Sequence, residues 1–465
     1  MKRENYLIKS TLILSLGNFL PKFAALITLP IYTGMLTKTQ YGRYDLVNIF
    51  VYVATILVTI QIHQAAFRFL LDLRGTDKDR IIISNTFIFI LIPTILISIV
   101  FYFIFPELTF YQKSLLACYM FFSIISNVMG QIARGIGANR EYAVNAIINS
   151  FLNMILVVIL MSCLNLGFTG LFISLNISFL VGMIYIEYKC CIIRKLSFKL
   201  YDKKIIIDML KYSWPMVPNT LSIWVVTTSD KLLVTAILGI EMNAVYAVAT
   251  KIPNIFTLAY SAFNMAWQES ASLSAGDKDN NKYYEKIFEK LFNFLTGSLL
   301  LLISFTPILF KFLINGSYEE AYLQIPILYL GVFLSTISSF YGSIYIAKKK
   351  TIAVGVSSMI GAIINILINI IFINRYGLYA ASISTVISYL ILVLYRAYDI
   401  EKIDIAHLNY NFKRIIICVI LIVFSCMICN MRNFYFNIFN IILAIGATLM
   451  LNKNLIYLIK KKINK

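Results

Sequence analysis

Asp230 and Lys231 stand side by side in the apolar run VVTTSDKLLVTAIL, Val225 to Leu238. Four more basic residues, Lys22, Arg68, Lys251 and Lys311, fall inside comparable runs. An ionised side chain at the centre of a bilayer costs about 2.5–3.5 kcal/mol on insertion scales, so such residues turn towards protein or water. The set runs five basic to one acid, and Arg and Lys are the usual partners of phosphate. One chemistry open to this pattern is an electropositive, water-filled chamber for an anionic ligand. The other is a structural set of ion pairs, Asp230 with Lys22 or Lys251. Neighbouring residues project about 100° apart on a helix, so Asp230 and Lys231 need not pair with each other. Lys311, near the end of its run, is expected to snorkel to the surface.

Uncharged polar residues extend the pattern. Thr250, Asn254, Thr257, Ser261, Asn264 and Gln268 recur at spacings of 4, 3, 4, 3 and 4, which lines one helical face. Asn48, Tyr52, Thr55 and Thr59, 202 residues earlier, match its first four positions, and Ile62 and Ala66 complete the register. Lys22 shares a face with Thr11, Ser15 and Asn18. Lipid rejects such faces, so each looks into a cavity or at neighbouring helices. The matching stripes favour the cavity.

The elements that carry these residues must be membrane helices. The chain is 60% hydrophobic and 14% charged, where a soluble domain carries roughly a quarter charged residues. Mean hydropathy is +0.80. Polar breaks divide the sequence into fourteen apolar stretches long enough to span a bilayer. The basic start, MKRENYLIKSTLILSLGNFL, lacks an A-x-A-like cleavage site and reads as a retained first span. If the N-terminus and every second loop lie on one side, that side holds 31 of the 41 Lys and Arg residues. Such a bias places both termini in the cytoplasm. It also makes the net charge of +19 a matter of topology, and no basic patch for a nucleic acid forms.

Other chemistries are poorly supported. Two histidines, His63 and His407, build no metal cluster. Cys426 and Cys429 have redox spacing but sit in an apolar helix, where small packing residues are expected. No G-x-x-x-x-G-K-[ST] run exists for an ATP site. No cofactor is expected.

The chain is also internally duplicated. At an offset of 210, Ala143-Val144 falls on Ala353-Val354, Arg140 on Lys350, Gly167 on Gly377, and Ser174 and Ser178 on Ser384 and Ser388. Earlier in each half an offset of 202 places Tyr44 on Tyr246. Six spans per half is an even number, so the halves insert in the same orientation. The expected fold is an all-α integral membrane protein of about fourteen transmembrane helices. Two parallel six-helix lobes, residues 1–190 and 213–400, surround a central cavity. A basic cytoplasmic linker, 191–212, joins them, and two extra helices with a basic tail fill 401–465.

Four stretches carry a resemblance: LITLPIYTGMLTKTQYGRYDL (26–46), AAFRFLLD (65–72), YSWPMVPNTLSIWVVTTSDKLLV (212–234) and NAVYAVATKI (243–252). In order and spacing they resemble the polysaccharide-export branch of the multidrug/oligosaccharidyl-lipid/polysaccharide superfamily, which includes O-antigen and capsule repeat-unit flippases. The likeness runs over essentially the whole chain. It implies a flippase moving an undecaprenyl-diphosphate-linked oligosaccharide across the bacterial cytoplasmic (inner) membrane. Arg68, Asp230 and Lys251 lie in the matching motifs, whereas Lys22 rests on its own position. Expected partners are the lipid-linked substrate, membrane lipids and other polysaccharide-assembly proteins. Trp214, Trp224, Trp267 and Tyr260 suit sugar stacking, membrane anchoring or packing.

Rival functions follow from the same residues. A cation-coupled multidrug antiporter usually needs embedded carboxylates, and Asp230 is the single deep one. A flippase for a peptidoglycan precursor or a teichuronic-type polymer would look much the same. A membrane polysaccharide polymerase or ligase needs a sizeable outer loop, and these loops are short. The Asp77-Lys-Asp79 and Asp277-Lys-Asp279 runs imitate the D-x-D of glycosyltransferases but lie in short polar loops without a nucleotide-binding domain.

Overall fold

The computed structural model describes residues 2–73, 78–274, 279–348, 350–402 and 406–453. Side chains of some of these, including residues 1–16, Asn18 and Glu269, lie outside the described set, as do Asp77, Asp277 and the Lys460–Lys462 tail. So of the face proposed around Lys22, the side chains of Thr11, Ser15 and Asn18 lie outside it. The described residues contain no strand. They form two compact units, Met1–Leu221 and Ser222–Lys465.

The first unit contains α1 (Lys2–Met35), α2 (Lys38–Thr59), α3 (Ile62–Asp72), α4 (Asp79–Ile104), α5 (Phe110–Gly135), α6 (Asn139–Val157), α7 (Gly167–Cys190) and α8 (Lys203–Ser213). A π-helical turn, Val158–Cys163, extends α6. The chain continues as α9 (Met216–Leu238), α10 (Ile240–Ala249), α11 (Lys251–Leu273), α12 (Asn280–Leu313), α13 (Glu319–Ala347), α14 (Thr351–Tyr376), α15 (Leu378–Lys402), α16 (Phe412–Asn430) and α17 (Phe434–Leu451). Among the described residues eleven helices are long and apolar enough to cross a membrane. The three other stretches read as spans are occupied by α1, α9 and the α10–α11 pair.

One span read as continuous is interrupted. Ile60 and Gln61 both adopt the left-handed conformation, φ 45° and 58°, and separate α2 from α3. A residue other than glycine pays roughly 1–2 kcal/mol for that conformation. Local bonds compensate: the Thr59 hydroxyl accepts from the Gln61 N–H at 3.2 Å and lies 3.2 Å from His63 Nδ1. In the second unit Thr250, between α10 and α11, keeps helical φ/ψ, and the Thr250 N–H to Tyr246 carbonyl and Asn254 N–H to Thr250 carbonyl bonds, both 3.1 Å, carry the helix through it. The paired glycines of the duplication recur structurally. Gly167 and Gly377 both have positive φ, 49° and 57°, at the turns before α7 and α15. Glycine enters this region without a Cβ clash, which explains its place in both halves.

In the first unit the apolar positions Ile62, Ala65, Ala66 and Leu70 of α3 face one core. Ile82, Ile83, Phe87 and Ile90 of α4 meet them there, with Ile125, Val128, Met129 and Ile132 of α5. In the second unit α13 packs against α10, α11, α12, α14, α15 and α16. Its Phe340 ring stacks on Trp267 at 4.6 Å, and Trp267 Nε1 donates to the Phe340 carbonyl at 3.2 Å. Trp267 and Tyr260 are both buried, so these two aromatic rings serve packing.

Candidate functional site

The densest polar cluster surrounds Asp230, on α9 of the second unit. Its carboxylate is buried and accepts from Asn369 Nδ2 and Thr385 Oγ1, both at 2.7 Å. Tyr246 Oη and Ser384 Oγ donate at 3.2 and 3.5 Å. Asn365 joins by accepting from Ser229 Oγ at 3.1 Å and donating to Ser384 Oγ at 3.3 Å. Four helices meet here: α9, α10, α14 and α15. The spacing of Asn365 and Asn369 places both amides on one face of α14. Among the described residues no Lys, Arg or His is paired with Asp230. The ion pair with Lys251 anticipated from sequence is therefore replaced by neutral donors.

Three of those donors have a second acceptor. Tyr246, Ser384 and Thr385 hydroxyls lie 3.4, 2.8 and 3.0 Å from the Ala381 carbonyl. Each hydroxyl owns one proton, so it serves either the carboxylate or that carbonyl. The buried Oδ1 of Asn369 has no hydrogen-bond partner. The arrangement can hold a carboxylate as an anion, or release it when a proton or small cation neutralises it.

Arg68 sits on α3, opposite the apolar face. Gln64, Arg68 and Asp72 recur every four residues, and Arg68 Nη1 pairs with Asp72 Oδ1 at 2.7 Å. Arg68 is exposed. Gly135 of α5 lets α3 come close, because a Cβ there would lie 2.8 Å from Leu70 Cβ and 3.3 Å from Phe67 Cα. Lys22, on α1, is also exposed. Lys251 opens α11 and is partly buried.

The polar stripes are partly bonded within their own units and partly exposed. In the first unit Asn48 accepts from Tyr119 Oη at 2.7 Å, and Thr59 is fully buried. Thr55 returns its proton to the Val51 carbonyl at 2.7 Å. Tyr52 is exposed. The break at Ile60 and Gln61 ends the continuous helix that the register to Ile62 and Ala66 assumed. In the second unit Asn264 accepts from Ser343 Oγ at 3.1 Å and Tyr260 Oη at 3.3 Å. Thr250, Thr257 and Ser261 bond to carbonyls three residues back, while Gln268 is partly buried. Asn254 is exposed.

Sequence reasoning missed Arg396, which it placed beyond the twelfth span. Helix α15 continues to Lys402 and buries it at 4% exposure. Nη1 donates to the Ser338 carbonyl and hydroxyl at 2.8 and 3.0 Å, and Nε donates to Ser357 Oγ at 3.0 Å. Nη2 donates to the Val354 carbonyl at 3.2 Å and Ser358 Oγ at 2.9 Å. The available signal was the serine pair Ser357-Ser358 and the absence of a polar break before Arg396.

Residues 7–268, more than half of the chain, match the family described as polysaccharide biosynthesis protein. The fold is similar to the lipid II flippase MurJ in an inward closed conformation. That match has 17% identity and a TM-score of 0.69 over 96% of this chain and 100% of that one. An inward-facing MATE-family multidrug resistance transporter matches at 15% identity and a TM-score of 0.66, over 84% and 95% of the two chains. A multidrug/oligosaccharidyl-lipid/polysaccharide superfamily transporter from Pyrococcus furiosus matches at 13% and 0.56, over 85% and 95%. At these identities the likeness is one of fold. No match was found among curated proteins. The matched residues include most of α1, all of α3 and α9 and most of α11, the helices that carry Lys22, Arg68, Asp230 and Lys251, and the chain belongs to the polysaccharide biosynthesis protein family.

Proposed function

We propose that the protein is a flippase for undecaprenyl-diphosphate-linked oligosaccharide repeat units, of the O-antigen or capsule type, working by alternating access of its two halves. The observation that carries this reading is the exposure of Lys22, Arg68 and Asn254 on α1, α3 and α11, helices that fill stretches the sequence reads as spans. Each lies outside the core of its own unit, and hydrocarbon would penalise each. A wet, basic path resolves the conflict. It offers cations to the diphosphate and amides and hydroxyls to the glycan, while the polyprenyl chain stays in lipid. The family description and the fold shared with a lipid II flippase support it.

In this reading Asp230 supplies coupling. Uptake of a proton or cation turns the three hydroxyls from the carboxylate to the Ala381 carbonyl and loosens the joint between α9 and α15. The same feature favours a second reading, a cation-coupled exporter of small molecules. The bias of basic residues towards alternate loops supports cytoplasmic termini, and the reading sets the protein in the bacterial cytoplasmic membrane.

The test is deletion in the native host, followed by assay of lipid-linked repeat units in each leaflet. Accumulation on the cytoplasmic side, reversed by the wild-type gene, is the expected result. Unchanged leaflet distribution with altered drug export would select the second reading.

A further inference from the structure

We infer that the segment between the sixth and seventh spans, residues 191–214, is a preformed binding surface for anionic phospholipid headgroups, carried rigidly by the first unit. The inference needs only the membrane location of the chain and stands apart from the flippase reading.

The first observation is how firmly this segment is held. Asn85 of α4, fully buried, donates to the Leu200 carbonyl at 2.9 Å and accepts from the Asp202 N–H at 2.8 Å. One side chain thus satisfies two backbone groups as a second strand would. Ser84 Oγ accepts from the Ser197 N–H at 3.0 Å, and Lys195 pairs with Asp79 at 2.5 Å. The Glu187 carboxylate accepts from the Ile193 and Arg194 N–H groups at 2.6 and 3.2 Å. Ile192 and Met209 are inserted into the core built by α3, α4 and α5.

The second observation is what this fixed backbone shows to its surroundings. Phe198 is 75% exposed, Tyr201 56% and Trp214 60%. Lys199, Lys203 and Lys204 are exposed too, and among the described residues none of the three makes an ion pair. Ordinary positive-inside loops need cations but neither outward aromatic rings nor a clasp. Large apolar rings held outward cost free energy in water. In the headgroup region the rings lie among glycerol and acyl carbons while the ammonium groups meet phosphate. The segment leaves α7, long and apolar enough to cross a membrane, at Cys190 and enters α9, which fills a stretch the sequence reads as a span, at Met216, so both its ends are held at the membrane surface. Three unpaired cations specify the headgroup as a net anion.

Full-length protein in nanodiscs of phosphatidylcholine, alone or mixed with phosphatidylglycerol, tests the inference. Native mass spectrometry of the wild type should show several-fold preferential retention of phosphatidylglycerol, weakening as salt is raised. Lys199→Gln/Lys203→Gln/Lys204→Gln should lose most of that preference while unfolding at the wild-type temperature. Amide exchange at 198–204 should slow on adding phosphatidylglycerol in the wild type and not in the variant. A photoreactive phenylalanine analogue at position 198 should form lipid adducts in native membranes. Equal phosphatidylglycerol retention by both proteins overturns the inference, and so does a discrete protein adduct at 198.

Discussion

Replacing Asp230 by alanine removes the common acceptor of four donors, two of them at 2.7 Å. The Tyr246, Ser384 and Thr385 hydroxyls can fall back on the Ala381 carbonyl, and Asn369 keeps Ser384 Oγ at 2.8 Å. Hydrogen bonds between membrane helices average about 0.6 kcal/mol and reach about 1.7 kcal/mol. Those to a charged group contribute about 1.5–3 kcal/mol. With partial re-pairing, the net loss comes to roughly 2–3 kcal/mol. At about 2–4 °C per kcal/mol for a unit of this size, the unfolding midpoint should fall by roughly 5–10 °C. Asp230→Asn preserves shape and one acceptor but turns an amide towards two of the donors, so about half that loss is expected. Transport should not follow this grading. Neither variant can take up a proton or cation, so both should lose translocation to the same extent. Midpoints measured in one detergent at one scan rate, beside a leaflet assay of lipid-linked repeat units, separate the two effects. A wild-type midpoint for Asp230→Ala would refute the assignment of the four bonds. Wild-type translocation by Asp230→Asn would refute the coupling role.

Other substitutions probe neighbouring steps. Arg68→Ala breaks only an exposed pair with Asp72, so surface-polysaccharide output should drop at least several-fold while the unfolding midpoint stays put; normal output at native expression would remove Arg68 from the mechanism. Arg396→Lys keeps a buried charge but cannot reach both Ser338 and the Ser357-Ser358 pair, and should cost about 2–4 kcal/mol. Arg396→Met, which removes the charge at similar volume, should cost less, and the reverse order in thermal unfolding would contradict this account of the buried guanidinium. Gly135→Val puts side-chain atoms where Leu70 and the Phe67 backbone stand, so about 1–3 kcal/mol of strain should appear as a lowered midpoint, with translocation reduced because α3 carries Arg68.

The contrast between what was legible and what was not is physical. Spans were readable because a long apolar run leaves the backbone no choice but helix in lipid. Gly167 and Gly377 were readable as a repeat, and their positive φ supplies the reason. The interruption at Ile60-Gln61 was not, because no glycine or proline announces it and the Thr59 hydroxyl stabilises it locally. That break in turn altered the fate of the Asn48 stripe, whose register presumed one straight helix. Arg396 escaped for a different reason. A charge near a span end reads as a surface residue unless the hydroxyls that receive it, Ser338, Ser357 and Ser358 on two other helices, are known to converge. Asp230 was legible as a buried charge but not in its partners, since amides and hydroxyls from α14 and α15 carry no sign of their target.

The duplication sharpens the meaning of that carboxylate. At the offset of 202, Asp230 falls on Thr28 and Tyr246 on Tyr44; at 210, Ser384 falls on Ser174. In the first unit these positions also build a polar node. Ser174 Oγ donates to Asn153 Oδ1 at 2.9 Å, and Asn153 Nδ2 reaches Tyr32 Oη at 3.5 Å. Tyr32 bonds Thr28 as well, and its ring lies 5.4 Å from that of Tyr44. Equivalent helices thus meet in both halves, α1 with α2, α6 and α7, and α9 with α10, α14 and α15. Thr28 donates to the Ala25 carbonyl, and the single Ser174 proton serves either Asn153 Oδ1 or the Leu171 carbonyl, so no member of that node carries a charge. Asp230 instead draws its donors from three other helices and leaves the Asn369 Oδ1 unpaired. A neutral node has nothing to gain from an incoming proton or cation, whereas a buried carboxylate does. The same scaffold therefore gives one half a neutral joint and the other a joint built on a buried carboxylate.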